Sequence, residues 1–398
     1  MTTSTSSAWI DAAERHIAGT YKRFPLVLVR GEGCWVWDEN GRAYRDFVAG
    51  IAVCNLGHCH PEVTRAICEQ AATLVHVSNL YYTQPQIEVA RMLTENTFAD
   101  RVFFCNSGAE ANEAAIKIAR KYFKDRGEGD RYEMVSMVQS FHGRTMATLS
   151  ATGQEKIRKG FEPVLQGFRF VPFNDIDALR KALTPRTCAV MLEPIQGEGG
   201  IRLPDPGYLQ AVRRLCDETG ALLIYDEIQT GMGRTGALFA HEHEGVCPDI
   251  MTLAKALANG LPMGAMACTE TVARAFAPGA HASTFGGTPL VTAASRAVLR
   301  ILTQTDILAH ARAMGERLMS GLRDIAARHA VLREVRGRGL MIGAEIDGDG
   351  TEVVMACLEK GFLINCVQGN VLRFVPPLVV GPDDIDALLS CLDEVLGR

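Results

Sequence analysis

Ala221-Leu222-Leu223-Ile224-Tyr225-Asp226-Glu227 is an unbroken apolar run closed by two acids. A short apolar run without alternation is the pattern of a strand buried on both faces, as strands are in a parallel sheet covered by helices. The residues before it, Tyr208–Glu218, carry helical spacing, so helix and strand together look like part of a βαβ unit. Working outward, further strands are expected at Val102–Cys105, Glu133–Val138, Cys188–Glu193 and Ile250–Ala254, with a helix over Ala109–Phe123. This alternation predicts an α/β fold with a mainly parallel sheet covered by helices.

The chain ends follow another pattern. A helix over Trp9–Tyr21 is expected after a Ser/Thr-rich, unstructured start. Cys34–Asp38 and Ala43–Phe47 flank Asn40-Gly41, a strong hairpin signal. After Thr288 one long helical region runs to about His329. Arg333–Ile346, Thr351–Gly361, Leu363–Cys366, Val371–Phe374 and a last helix from Asp383 follow. That tail predicts a smaller α+β unit, joined in space to the N-terminal hairpin. At 398 residues the chain exceeds what one core organises. The expected division is 1–60 and 288–398 for the small domain and 61–287 for the large one.

Composition narrows the function. A net charge of -5 leaves no basic footprint for nucleic acid, and no apolar stretch approaches the roughly 20 residues that span a bilayer. Met1–Ser7 lacks the layout of a signal peptide. The 12 cysteines are scattered without a C-x-x-C pair, which favours reduced thiols and a cytoplasmic protein.

Several polar residues stand where an open α/β sheet binds ligands, beyond the carboxyl ends of its strands. Lys255 sits between Ala254 and Ala256 just after a strand. Apolar surroundings disfavour the ammonium and lower its pKa, which suits a Schiff-base lysine; a surface lysine with its stem over apolar residues has the same local pattern. Asp226 ends its strand and can hold a pyridine nitrogen protonated, or simply cap a helix. Asn106-Ser107-Gly108-Ala109 opens a helix and offers N–H groups to an anion, or plain N-capping. Phe141 can stack on a planar ring while Arg144 forks onto a carboxylate. Arg373, flanked by apolar residues, wants an anionic partner, and Glu198 is the candidate. A purely structural ion pair is the alternative.

These motifs, in this order, resemble the class III pyridoxal-phosphate aminotransferases of fold type I, and within them the acetylornithine aminotransferases. Gly57–Pro61, Asn106–Glu113, Phe141–Arg144, Glu193–Gly200, Asp226–Gly236, Ala254–Leu257, Ser283–Gly287 and Arg373–Pro377 carry the resemblance, which runs from about Phe24 to the last helix. It implies pyridoxal 5'-phosphate held covalently by Lys255, which later carries a proton between substrate and cofactor. It also implies Asp226 at the pyridine nitrogen, Gln229 at the ring oxygen, Ile228 and Phe141 on the two ring faces, and Ser107, Gly108 and Ala109 at the phosphate. Thr284 would complete the phosphate site from a second subunit, with Ser283 near the substrate, making a homodimer part of the site.

The substrates implied are an acylornithine, glutamate and 2-oxoglutarate, in arginine biosynthesis. Arg144 would take the distant carboxylate and Arg373 the near carboxylate of glutamate. Glu198 would neutralise Arg373 when acylornithine is bound. Succinylornithine, succinyl-diaminopimelate and free ornithine are the alternative donors. Ile51 stands near a tyrosine of ornithine aminotransferases and cannot donate its hydrogen bond, which favours an acylated donor. Thr288 stands where many relatives have asparagine.

Two further patterns point elsewhere. Gly231–Gly236 matches G-x-G-x-x-G, the mark of a nicotinamide dehydrogenase, but no clear long helix follows it. His58, Cys59 and His60, like His241 and His243, have metal-ligand chemistry; adjacent ligands in one turn rarely close a site, and no metal is expected.

Overall fold

The computed structural model describes residues 5–397. Residues 1–4 of the Ser/Thr-rich start lie outside the described residues. The first helix spans Thr5–His16 instead of Trp9–Tyr21, because Gly19 disfavours its continuation. Strands β1 (Leu28–Glu32), β2 (Trp35–Asp38) and β3 (Ala43–Asp46) form an antiparallel ribbon. Its β2–β3 turn is organised by Asp38, whose Oδ1 accepts from the N–H groups of Asn40 and Arg42, each at 2.9 Å.

The large sheet holds β4 (Arg101–Cys105), β5 (Glu133–Met137), β6 (Phe168–Val171), β7 (Thr187–Leu192), β8 (Leu222–Asp226), β9 (Ile250–Leu253) and β10 (Gly264–Cys268). Their order is β4-β10-β9-β8-β7-β5-β6. The sheet is parallel except for β10, which runs antiparallel to both neighbours. The carboxyl ends of the other six strands therefore share one edge. Along β8 the side chains alternate between two cores. Leu222 and Ile224 pack under the helix Gly108–Asp125, while Leu223 and Tyr225 pack under the helix Tyr208–Thr219. Each buried Leu or Ile contributes about 1.5–3 kcal/mol, so both faces pin the register that puts Asp226 at the edge.

The single helical region expected after Thr288 is two helices, Pro289–Gln304 and Ile307–Arg328. The Thr305 hydroxyl turns back onto the Ile301 carbonyl at 2.7 Å where they break. Then come β11 (Leu332–Arg338), β12 (Met341–Ile346), β13 (Phe362–Leu363), β14 (Asn365–Val367) and β15 (Val371–Phe374). Strands β11-β12-β15-β14 make a third sheet, whereas β13 pairs in parallel with β3. The chain's two ends thus share a sheet. One apolar cluster runs from Phe47 through Met251 and Leu299 to Leu392, joining this region to the large sheet.

Between β3 and Gly57 the backbone does something rare. Ala49, Gly50, Ile51 and Ala52 have φ of 51°, 66°, 66° and 58°. The Ala52 N–H reaches the Val48 carbonyl at 3.0 Å, and Val53 reaches Ala49 at 2.8 Å. This is one turn of left-handed helix. Each of its three non-glycine residues costs roughly 1–2 kcal/mol.

Candidate active site

Loops at the shared strand ends enclose a cavity of about 440 Å³. At one end is Asp226, buried at the tip of β8. Its Oδ2 accepts from Asn112 Nδ2 and faces His142 Nδ1, both at 2.8 Å, and its Oδ1 accepts from the Ile228 N–H at 3.1 Å. Thr252 of β9 donates to Asn112 Oδ1 at 2.7 Å, so the amide can turn only its NH₂ toward the acid. These partners fix the carboxylate in place at the sheet edge.

At the other end the helix Gly108–Asp125 begins. Ser107 is its N-cap, its hydroxyl accepting from the Glu110 N–H at 3.2 Å. The N–H groups of Gly108 and Ala109 have no acceptor within the helix and are free for an anion. Gly108 leaves the space between the helix start and Ile228 open, since a Cβ there would lie 2.7 Å from Ile228 Cδ1. Phe141 and Ile228 both line the cavity.

Lys255 follows β9 in a left-handed conformation, φ +46°, and its side chain lines the same cavity. Burial pulls its ammonium down from 10.5 to about 8, with Glu198 opposing the shift and Arg373 adding to it. Glu193, at the end of β7, accepts from the Phe141 and Gly197 N–H groups at 3.1 and 3.2 Å. Burial raises its carboxyl to about 7, against the pull of His142.

Arg373, on β15, is 1% exposed. Its Nη1 donates to Glu198 Oε1 at 2.5 Å and to Gln229 Oε1 at 3.3 Å, and its Nε donates to Asn365 Oδ1 at 3.2 Å. Burial pushes the Glu198 carboxyl up, but Arg373 and Lys255 outweigh it and hold the group below its usual range. Arg144 lies over the Phe141 ring at 5.6 Å, with its side chain exposed. Every residue expected at the site from one chain is gathered here. Ser283 accepts from Asn106 Nδ2 at 3.1 Å. Thr284 is exposed and outside the cavity lining.

The residues fit pyridoxal phosphate. Free helix N–H groups suit its phosphate, an apolar slot its ring, a buried acid its ring nitrogen, and an amine with its pKa lowered by burial its aldehyde. Sequence reasoning missed Asn112, Thr252 and Glu193. The signal for Glu193 was present, because it ends a buried strand as Asp226 does.

The motifs with other readings have structural employment. In Gly231–Gly236, Arg234 is fully buried and donates to the carbonyls of Leu340 and Pro376 and to Asn55 Oδ1. Only a single 3-10 turn, Ala240–His243, follows the loop, with no long helix as a dinucleotide site needs. His241 Nδ1 meets Glu227 Oε1 at 2.8 Å, and His243 Nε2 meets Thr235 Oγ1 at 3.0 Å. Among the described residues no three His, Cys, Asp or Glu side chains are grouped to hold a metal, and no helix is long and apolar enough to cross a membrane.

A family model for class-III aminotransferases matches residues 16–396. The chain is a class-III aminotransferase. It is 55% identical to an acetylornithine aminotransferase of Caldanaerobacter subterraneus subsp. tengcongensis, over 98% of this chain and 99% of that one. It is 51% identical to an acetylornithine aminotransferase of Methanocaldococcus jannaschii, over 97% of each. The crystal structure of ornithine aminotransferase from Toxoplasma gondii superposes with a TM-score of 0.96 at 35% identity, covering 99% of this chain and 96% of that one. The aminotransferase therefore has the fold type I architecture, and its cofactor is pyridoxal 5'-phosphate.

Proposed function

We propose that the chain moves the distal amino group of N2-acetyl-L-ornithine to 2-oxoglutarate, giving N-acetyl-L-glutamate 5-semialdehyde and L-glutamate, a step of arginine biosynthesis. The observation that carries this reading is the Arg373–Glu198 pair beside Lys255. A donor with a carboxylate next to its reacting amine, such as glutamate, takes the guanidinium and displaces Glu198. A donor whose reacting carbon bears no carboxylate leaves the pair closed, so the buried charge is never unpartnered. One site then serves both half-reactions. The names of the relatives at 51–55% identity support the acetylated donor, and Ile51, without a hydroxyl, supports it over free ornithine.

When bound, pyridoxal phosphate supplies an electron-withdrawing ring and a carbonyl that takes up and returns the amino group. In this reading Asp226 keeps a proton on the ring nitrogen, and Asn112 and His142 fix the acid. Gln229 meets the ring oxygen, Ile228 and Phe141 hold the ring faces, and Ser107, Gly108 and Ala109 bind the phosphate. Lys255 Nζ takes the proton from the substrate carbon and redelivers it, for which a pKa near the working pH is suited. Arg144 binds the distal carboxylate, and Ser283, next to Thr284, stands near the substrate.

We take the working form to be a cytoplasmic homodimer in which Thr284 reaches the neighbouring subunit's phosphate site. Tyr82 at 95% exposed and Leu80 at 80% form an apolar stretch that a second copy would cover. We also read 1–60 with 288–398 as the small domain around 61–287, a reading supported by the β3–β13 pairing. The test of substrate is kcat/KM for acetylornithine, succinylornithine, free ornithine and 4-aminobutyrate. Acetylornithine should lead free ornithine by about a hundredfold, the range that an unmatched polar group can produce. A lead for free ornithine or 4-aminobutyrate would overturn the assignment.

A further inference from the structure

The left-handed turn at Ala49–Ala52 stands between two cavities. Val53, one residue beyond it, lines the cofactor cavity. Gly50 and Ile51 line a second, largely apolar cavity of about 510 Å³ with Phe362, Ile364 and Asn365. Asn365 accepts from Arg373 Nε, and Arg373 Nη1 meets Gln229 of the first cavity. One guanidinium and one strained turn thus divide the two spaces.

A left-handed turn of mostly non-glycine residues persists only if its surroundings over-determine it. Asp46 does so. Its Oδ1 accepts from the N–H groups of both Val48 and Ala49 at 2.8 Å, capping the turn at its start. Its Oδ2 meets His58 Nε2 at 2.7 Å. His58 is itself fixed, since its N–H and carbonyl pair with Gly33 at 2.8 and 2.9 Å. Gly31 leaves room for the ring, because a Cβ there would lie 2.8 Å from His58 Cβ. The histidine of the Gly57–Pro61 motif therefore works as a brace.

We propose that Asp46 and His58 are positioning residues for the acylated donor: His58 fixes the Asp46 carboxylate, the carboxylate caps the left-handed turn, and the turn sets Ile51 as the apolar wall met by the acylated end that glutamate lacks. The inference rests on the substrate reading above. Asp46 and His58 border the second cavity with Ile51 and are absent from the lining of the cofactor cavity. Their effect is to hold a backbone conformation, so substitutions that favour the same conformation should replace them.

The experiment follows the two half-reactions separately, as bleaching of the bound cofactor's absorbance by acetylornithine or by glutamate. Thermal unfolding and cofactor absorbance report on the fold. Holoenzyme carrying Asp46→Ala should show KM for acetylornithine raised about tenfold or more, with the glutamate half-reaction changed less than about threefold. Adding Ala49→Gly and Ala52→Gly, which remove the steric cost of positive φ, should recover most of the roughly tenfold loss. If Asp46→Ala does not fold, His58→Ala should give the same split, and His58→Gln, which keeps an N–H donor for Asp46, should restore it. Equal losses with both donors, or no recovery from the glycine pair and from glutamine, would overturn the brace. A parent enzyme that ignores acetylornithine but uses another long donor would overturn the substrate assignment alone. The same variants, assayed with that donor, would then decide the brace.

Discussion

Lys255 combines a strained backbone with a burial that strips its ammonium of water, and both have a measurable consequence. In cofactor-free protein its amine should become reactive toward acylating reagents with a midpoint near pH 8, where an ordinary lysine near 10.5 is still protonated. The sign follows from burial. The folded state disfavours the charged form, so the proton leaves early, and the cofactor-free protein gains stability relative to the unfolded chain as pH rises from about 8 to about 10.5. Labelling rates resolved by peptide mapping test this, and a Lys255 midpoint near that of the surface lysines would contradict it. At this scale the sequence was informative wherever a polar residue ended a buried strand. Asp226 and Lys255 are legible because nothing in a sheet core explains them. Asn112 is not, since a single Asn among the alanines of an amphipathic helix shows its value only once Thr252 and Asp226 are seen on either side of it. Nothing in the structure explains Thr288, which precedes the helix at Pro289.

At the level of elements, the antiparallel strand β10 closes the cofactor cavity from behind. A Cβ at Gly264 would lie 2.4 Å from the Ser107 carbonyl oxygen. Backbone cannot give way as a side-chain tip can, so Gly264→Ala should push the helix start out of line. A destabilisation of about 1–3 kcal/mol is expected for such overpacking, read as a lower Tm, together with weaker retention of cofactor on dialysis. Unchanged retention would mean that the Ser107 turn tolerates displacement. Strand β10 was not expected from the sequence because Gly264, Ala265 and Ala267 give it little apolar signal. Strand β6, Phe168–Val171, is apolar but only four residues long and interrupted by Arg169, too short a pattern to stand out. The left-handed turn was invisible too. Ala49-Gly50-Ile51-Ala52 carries no mark of its handedness, which is imposed by Asp46 from outside. By contrast β4, β5, β7, β8 and β9, buried and bounded by turns, were legible to within a residue or two.

For the whole molecule, the single chain leaves Thr284 exposed beside Phe285, which is 61% exposed, although the resemblance assigns that threonine to a phosphate site. Both statements hold together if the phosphate site belongs to a second copy. A C₂ pair would place two such threonines symmetrically and bury the Leu80–Tyr82 stretch. The mass in solution should then be about 87 kDa, twice the 43.3 kDa of the chain. The sharper test is complementation. Lys255→Ala and Thr284→Asp are each expected to be nearly inactive alone, since one lacks the amine and the other sets a negative charge against the phosphate. Co-expressed, half of the dimers are hybrids. In each hybrid one site carries both lesions and the other carries neither, so about one quarter of all sites should be native. Purified hybrid, separated by two different tags, should turn over at about half the parental rate per dimer. If each chain builds its site alone, every site keeps one lesion and no activity returns, and the shared site is refuted even if the protein is a dimer.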